Sequence, residues 1–171
     1  TDSVRSGQAT EKAAASALPL RASSGSVRVI KDVSAEHRDA LNVLWIGGHY
    51  RVTLPDVLAA HVEALTYGGR AGVVSLDSIQ SAIGRPYSGY HRAIHLKLLT
   101  LHALIQNHGF VDGNKRTALI VTLLMIERSG YRLTLTGDER IDDVVVSVAD
   151  GSMNFGALAD WFRSRLATSK P

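Results

Sequence analysis

An all-α domain is what this sequence of 171 residues predicts, on three observations. Eight of the nine residues 118–126 are apolar, with Thr122 the interruption, and a helix that is apolar on all sides is normally buried. Elsewhere apolar residues recur at spacings of three and four behind residues that cap helices. Alternation at a period of two, the mark of a half-buried strand, is confined to short pieces. The expected architecture is a compact helical domain around a buried central helix that starts near residue 114.

Residues 1–27 stand apart: 16 of the 27 are Ala, Ser, Thr or Gly. Such a segment has little to bury and reads as a flexible arm, leaving residues 28–171 as the folded domain. Val27 to Ile30 suits a short strand. Ser34 can cap a helix to about Ile46, stopped by Gly47-Gly48. Thr53-Leu54-Pro55-Asp56 carries proline in the first turn and an acid three residues after the cap, so a helix starts there. Val57, Leu58, Val62 and Leu65 give it one apolar stripe, and Gly68-Gly69 ends it. Ser75 opens a helix to about Ile83. After the loop Gly84-Arg85-Pro86-Tyr87-Ser88-Gly89-Tyr90, a strongly apolar helix is expected over residues 91–107. It carries His91, His95 and His102, whose spacing fits one helical face; without acidic partners they read as structural or surface residues. Tyr131, Leu133 and Leu135 alternate in an extended connector. Asp138 is the expected cap of a helix to about Val148, and Asn154 of a last one ending near Leu166.

Composition excludes several function classes. There are no cysteines, hence no disulfides or thiolate metal sites. The formal net charge of +3 is too small to argue nucleic-acid binding without a clustered patch. No apolar run approaches the roughly 20 residues that span a bilayer, and the first residues do not read as a secretory signal. A cytoplasmic protein without membrane or nucleic-acid partners is the expectation.

Chemistry concentrates in His108-Gly109-Phe110-Val111-Asp112-Gly113-Asn114-Lys115-Arg116-Thr117. A base, a carboxylate, a glycine turn, an amide and two cations stand just ahead of the apolar helix. Glycine permits the turn, and Asp112 or Asn114 is placed to cap the first amides. Free N–H groups, the positive end of the helix dipole and the charges of Lys115 and Arg116 together favour an anion. A phosphate-bearing ligand is the natural guest. The stretch is not a Walker A loop, because three residues, not four, separate Gly109 from Gly113 and Asn114 precedes Lys115.

These residues resemble the signature of the Fic/Doc superfamily, His-x-Phe-x-[Asp/Glu]-[Gly/Ala]-Asn-[Gly/Lys]-Arg. More narrowly, Asn114 to Ala118 is similar to the Asn-Lys-Arg-Thr-Ala of the Doc (death-on-curing) toxins. AMP-transferring Fic enzymes usually carry glycine at the Lys115 position and a second arginine at that of Leu119. Gly113 departs the other way, since the Doc prototype has alanine there. The similarity runs from about Thr53 to about Leu166 and implies the Fic helical fold.

The resemblance also implies roles. His108 would be the general base toward a target hydroxyl, and Asp112 a hard oxygen ligand for Mg²⁺. Gly113, Asn114, Lys115 and Arg116 would hold nucleotide phosphates, and Phe110 would anchor the loop in the core. A flap ahead of the motif, matched to Arg85, Pro86, Tyr87, Ser88, Gly89 and Tyr90, would pair its backbone with the target segment. For Doc toxins the implied reaction is transfer of the γ-phosphate of ATP to a threonine of translation elongation factor Tu. Transfer of a nucleotide monophosphate is the alternative, and a catalytically silent docking module a further one. Many Fic enzymes carry an inhibitory Ser/Thr-x-x-x-Glu helix. Here Gly7, Asp32, Ala59, Leu123 and Leu135 precede the glutamates by four, so that brake is missing. A separate antitoxin is then the implied control, with folding of the N-terminal arm over the site as the other possibility.

Overall fold

A computed structural model describes residues 45–46, 48–88 and 93–169 of the chain, all within the compact unit Ser34–Pro171. The described residues are mostly helical, in line with the all-α expectation. A small hairpin, β1 (Trp45–Ile46) and β2 (His49–Tyr50), leads into α1 (Leu54–Leu65) and α2 (Leu76–Gly84). A single 3₁₀ turn (Arg85–Tyr87) precedes α3 (Ile94–Lys97) and α4 (Thr100–Gln106). Then come α5 (Asn114–Arg128), β3 (Tyr131–Leu133), α6 (Ile141–Ala149), α7 (Phe155–Arg165) and β4 (Leu166–Thr168).

The central helix is α5. It packs against α1, α4, α6 and β3, burying Ala118, Val121, Met125 and Ile126 together with Thr117 and Thr122. Thr122 is satisfied inside the core because its hydroxyl donates to the Ala118 carbonyl at 2.8 Å. The helix is not covered all round, since Leu123 is 43% exposed.

Local signals set several helix starts. Thr53 caps α1 in a reciprocal box with Asp56, Ser75 caps α2 through the Ser78 amide, and Asn154 caps α7 through the Ala157 amide. Other starts and ends differ from the sequence expectation. Trp45–Ile46 is a strand, not a helix end, because Gly48 at φ 77° reverses the chain and pairs Trp45 with Tyr50. The rest of that expected helix, the strand at 27–30 and the arm boundary lie outside the described residues. Over its described residues, 93–107, the helix expected at 91–107 is two, divided at Leu98–Leu99. There Leu101 bonds back only three residues, to Leu98, and the buried Thr100 hydroxyl takes up the Lys97 carbonyl at 3.0 Å. Asp138 caps nothing: α6 starts at Ile141 behind Arg140, while neighbouring Glu139 is held by the Thr136 amide and by Arg165. The alternating connector does become a strand, with β3 antiparallel to β4.

The buried face of α1 also differs. Val57, Ala60, His61 and Ala64 point inward, and Val62 is 68% exposed. Both sets run at helical spacing, one residue out of step with each other. The inward one meets the motif.

Candidate functional site

The motif is built between α1, α2 and α5. Coming off α4, Asn107 bonds through its side-chain amide to the Ser78 carbonyl of α2 at 2.9 Å. His108 follows with φ 46°, the one described non-glycine residue in the left-handed region. Such a conformation costs about 1 kcal/mol or more and persists only where its surroundings impose it. Here they do. Gly109 leaves no room for a side chain, since a Cβ would sit 2.4 Å from Ile79. Its carbonyl accepts from the Val74 and Ser75 amides, and Val111 N–H donates to the Gly72 carbonyl. An isolated antiparallel bridge pairs Val73 with Phe110.

Asn114 closes the loop. Its side chain accepts from Phe110 N–H at 3.0 Å and donates to Phe110 C=O at 2.8 Å. Asp112 accepts from Gly113 N–H at 2.6 Å. Neither side chain caps α5: the capping position is Gly113 at φ 75°, and no side chain caps the first turn. The amides expected to be capped therefore have no side-chain cap.

His108, Asp112, Gly113, Asn114, Lys115 and Arg116 line one cleft of about 330 Å³, with Ile105, Val111 and Ala149 as its apolar wall. An apolar hollow of about 290 Å³ under Arg51–Leu54 and Gln80–Gly84 holds none of these groups, so the chemistry belongs to the first. Arg116 is oriented by α1: its Nη1 donates to the Ala64 carbonyl at 2.9 Å, leaving Nη2 3.9 Å from Asp112. Lys115 is exposed, and the Asp150 carboxyl after α6 is held below its ordinary value by the Ser152 hydroxyl and amide, with a smaller charge effect from Lys115. The Gly113 and Arg70 amides, with Arg116 and Arg70 adding positive charge, hold the Asp112 carboxyl below the usual carboxylate range.

That set fits a divalent cation of one kind. Asp112 is 46% exposed and keeps lone pairs beyond the two amides. Among the described residues no three His, Asp or Glu side chains cluster as a cage. A hard ion resting on one carboxylate and on the ligand's own phosphates is how Mg²⁺ is commonly held.

Phe110 lies beneath the cleft, 3% exposed, stacked on His61 of α1 with centroids 3.8 Å apart. Arg85–Tyr87 does not line the cleft. It is a 3₁₀ turn whose Pro86 is buried and whose Ser88 amide bonds back to the Arg85 carbonyl, so it offers no extended edge. Gly89 and Tyr90 lie outside the described residues, as does His91. His95 meets Arg163 and His102 meets Phe155 edge-on, both structural contacts.

Sequence reading missed the partners of the motif. The turn at Gly68–Arg70 was visible only as a helix stop, yet Arg70 N–H reaches Asp112 Oδ2 at 3.3 Å. A Cβ on Gly69 would lie 2.9 Å from that same oxygen. Val73–Val74, a β-branched pair after Gly72, was the signal for an extended segment, and His61 carried none.

A helical domain with this loop and cleft has known counterparts. Residues 32–126, more than half of the chain, match the sequence profile of the Fic/DOC family, and the chain belongs to that family. Within it the chain is Doc-like. It is 29% identical over 111 residues to "Toxin Doc" of Mycolicibacterium smegmatis, covering 61% of this chain and 84% of that protein. It is 28% identical over 114 residues to "Protein kinase doc" of Escherichia phage P1, covering 63% and 89%. No described helix is long and apolar enough to cross a membrane.

Proposed function

We propose that this chain is a Doc-type toxin that transfers the γ-phosphate of ATP to a serine or threonine hydroxyl of a protein, translation elongation factor Tu by resemblance. The observation that carries the reading is Lys115 on the cleft wall. Its side chain takes the room that glycine leaves for the terminal phosphates in AMP transfer, and half-buried Leu119 stands where the second arginine would be. The relative named a protein kinase supports the same direction.

In this reading His108 accepts the hydroxyl proton as the new O–P bond forms. The bond from the γ-phosphorus to its bridging oxygen breaks, and ADP leaves. Arg116, Lys115 and the uncapped amides of the first turn of α5 hold the phosphoryl oxygens where charge builds up, the main source of catalysis in phosphoryl transfer. Mg²⁺, bound through Asp112 and the phosphates, would supply further positive charge there.

Target docking moves from the Arg85–Tyr90 region to Gly72–Val74. This segment pairs with the motif on one side, and Val73 and Val74 are 46% and 65% exposed. An extended target segment can add to such an edge and bring its hydroxyl toward His108. A separate antitoxin remains the proposed control.

Incubation with elongation factor Tu and ATP labelled at the α- or γ-phosphorus tests the proposal. Label retained from the γ-position is expected. Retention from the α-position alone would establish nucleotide transfer instead.

A further inference from the structure

We propose that His61 is a positioning residue for the transfer site, a ring on which the motif loop is seated. The inference rests on the phosphoryl-transfer reading above. Three pieces of the motif touch this one side chain. Phe110 stacks on it face to face, at 3.8 Å and 12°. Thr117 Oγ1, in the first turn of α5, lies 3.1 Å from its Nδ1. Gly113 sits against its edge, close enough that a Cβ there would be 3.6 Å from Cε1 and Nδ1. His108 precedes Phe110 by two residues and Asp112 precedes Gly113 by one. The ring therefore seats backbone that follows the proposed base and flanks the proposed metal ligand.

A second observation argues against plain core packing. His61 is 6% exposed, and its Nε2 is buried without a hydrogen-bond partner among the described residues. An apolar ring would avoid that cost. A histidine is explained here because its two faces of chemistry are used at once: an aromatic plane for Phe110 and a ring nitrogen for the Thr117 hydroxyl. Burial pushes the imidazole pKa down. The neighbouring turn of α1 supplies the Ala64 carbonyl that orients Arg116. Phosphate binding and loop placement thus hang on the same helix through different groups, and they are separable.

Three variants test this: His61→Ala, His61→Phe, and His61→Phe combined with Thr117→Val. The last keeps the stack and removes the hydroxyl that would lose its partner. His61→Ala is expected to lower kcat by about tenfold or more, the effect of a displaced reacting group, while the KM for ATP moves little. His61→Phe is expected to fall between, with the double variant recovering most of kcat. Amide exchange over residues 109–113 should speed up in His61→Ala and return toward the wild-type rate in the double variant. A folded His61→Ala protein with wild-type kcat and unchanged exchange would overturn the proposal. If that variant does not fold, a folded double variant that stays inactive would do the same. Should the wild type transfer no phosphate, the reading of the site fails, and loop exchange still judges His61 independently.

Discussion

The two ends of α5 are built on opposite rules. At the C-terminal end several side chains pair with one another. Ser129 closes the helix through its own amide to Met125 O, and its hydroxyl accepts from Tyr50 N–H at 3.0 Å. Arg128 lies over the Tyr50 ring at 4.7 Å and pairs with Asp56 at 3.4 Å, while Gly130 turns the chain at φ 75° into β3. At the N-terminal end no side chain caps the first turn, His108 is strained, and Lys115 stands exposed. Where stabilising contacts are left unmade, charge and amides remain for a ligand. One helix carries a paired end for stability and an uncapped end for chemistry.

The contrast is sharpest at His108. His108→Ala should lower kcat by about a hundredfold or more, the range of a lost general base, while ATP binding with Mg²⁺, measured by calorimetry, stays near wild type. Substantial residual turnover would remove His108 from that role. Arg116→Ala should weaken ATP binding by about tenfold or more, as expected for a charge-assisted hydrogen bond, and the same titration reads it. Gly69→Ala probes the uncapped end from outside the motif. An alanine there is strained at φ 119° and its Cβ would fall 2.9 Å from Asp112 Oδ2. Mg²⁺-dependent turnover should drop several-fold, about the effect of a sub-ångström displacement, with ATP affinity less affected.

The paired end should respond in stability. Arg128→Ala loses an ion pair and a cation–π contact, worth about 1 kcal/mol together. Denaturant unfolding should show that loss with ATP affinity and kcat unchanged. A change in kcat would break the division between the two ends. The smallest effect is conditional on pH. Arg165 holds the Glu139 carboxyl down to about 2 from 4.5, so the ionised form is the one the fold favours. The contribution is present above pH 4.5 and is lost as pH falls toward about 2. Melting of Glu139→Gln and wild type should therefore differ near neutrality and converge in acid.

Much of this protein is determined by short-range sequence. Thr53 with Asp56, Ser75 and Asn154 start their helices because a cap and its amide lie within three residues. The apolar run after Thr117 makes α5 central wherever the other helices go. The order His108 to Arg116 gathers the site because a tight loop running into a helix keeps nine consecutive residues together. What the sequence left undecided is long-range. Val57-Ala60-His61-Ala64 and Val57-Leu58-Val62-Leu65 are both helical stripes, and hydrophobicity favours the second; packing turned the first inward, where His61 meets Phe110 and Thr117. Asn114 closes a loop instead of capping a helix, since Phe110 offers it both a donor and an acceptor. The Ala64 carbonyl, the Gly69 turn and the Val73 edge reach the motif from more than 35 residues away in sequence, and backbone groups carry no residue-specific mark by which a sequence could announce them.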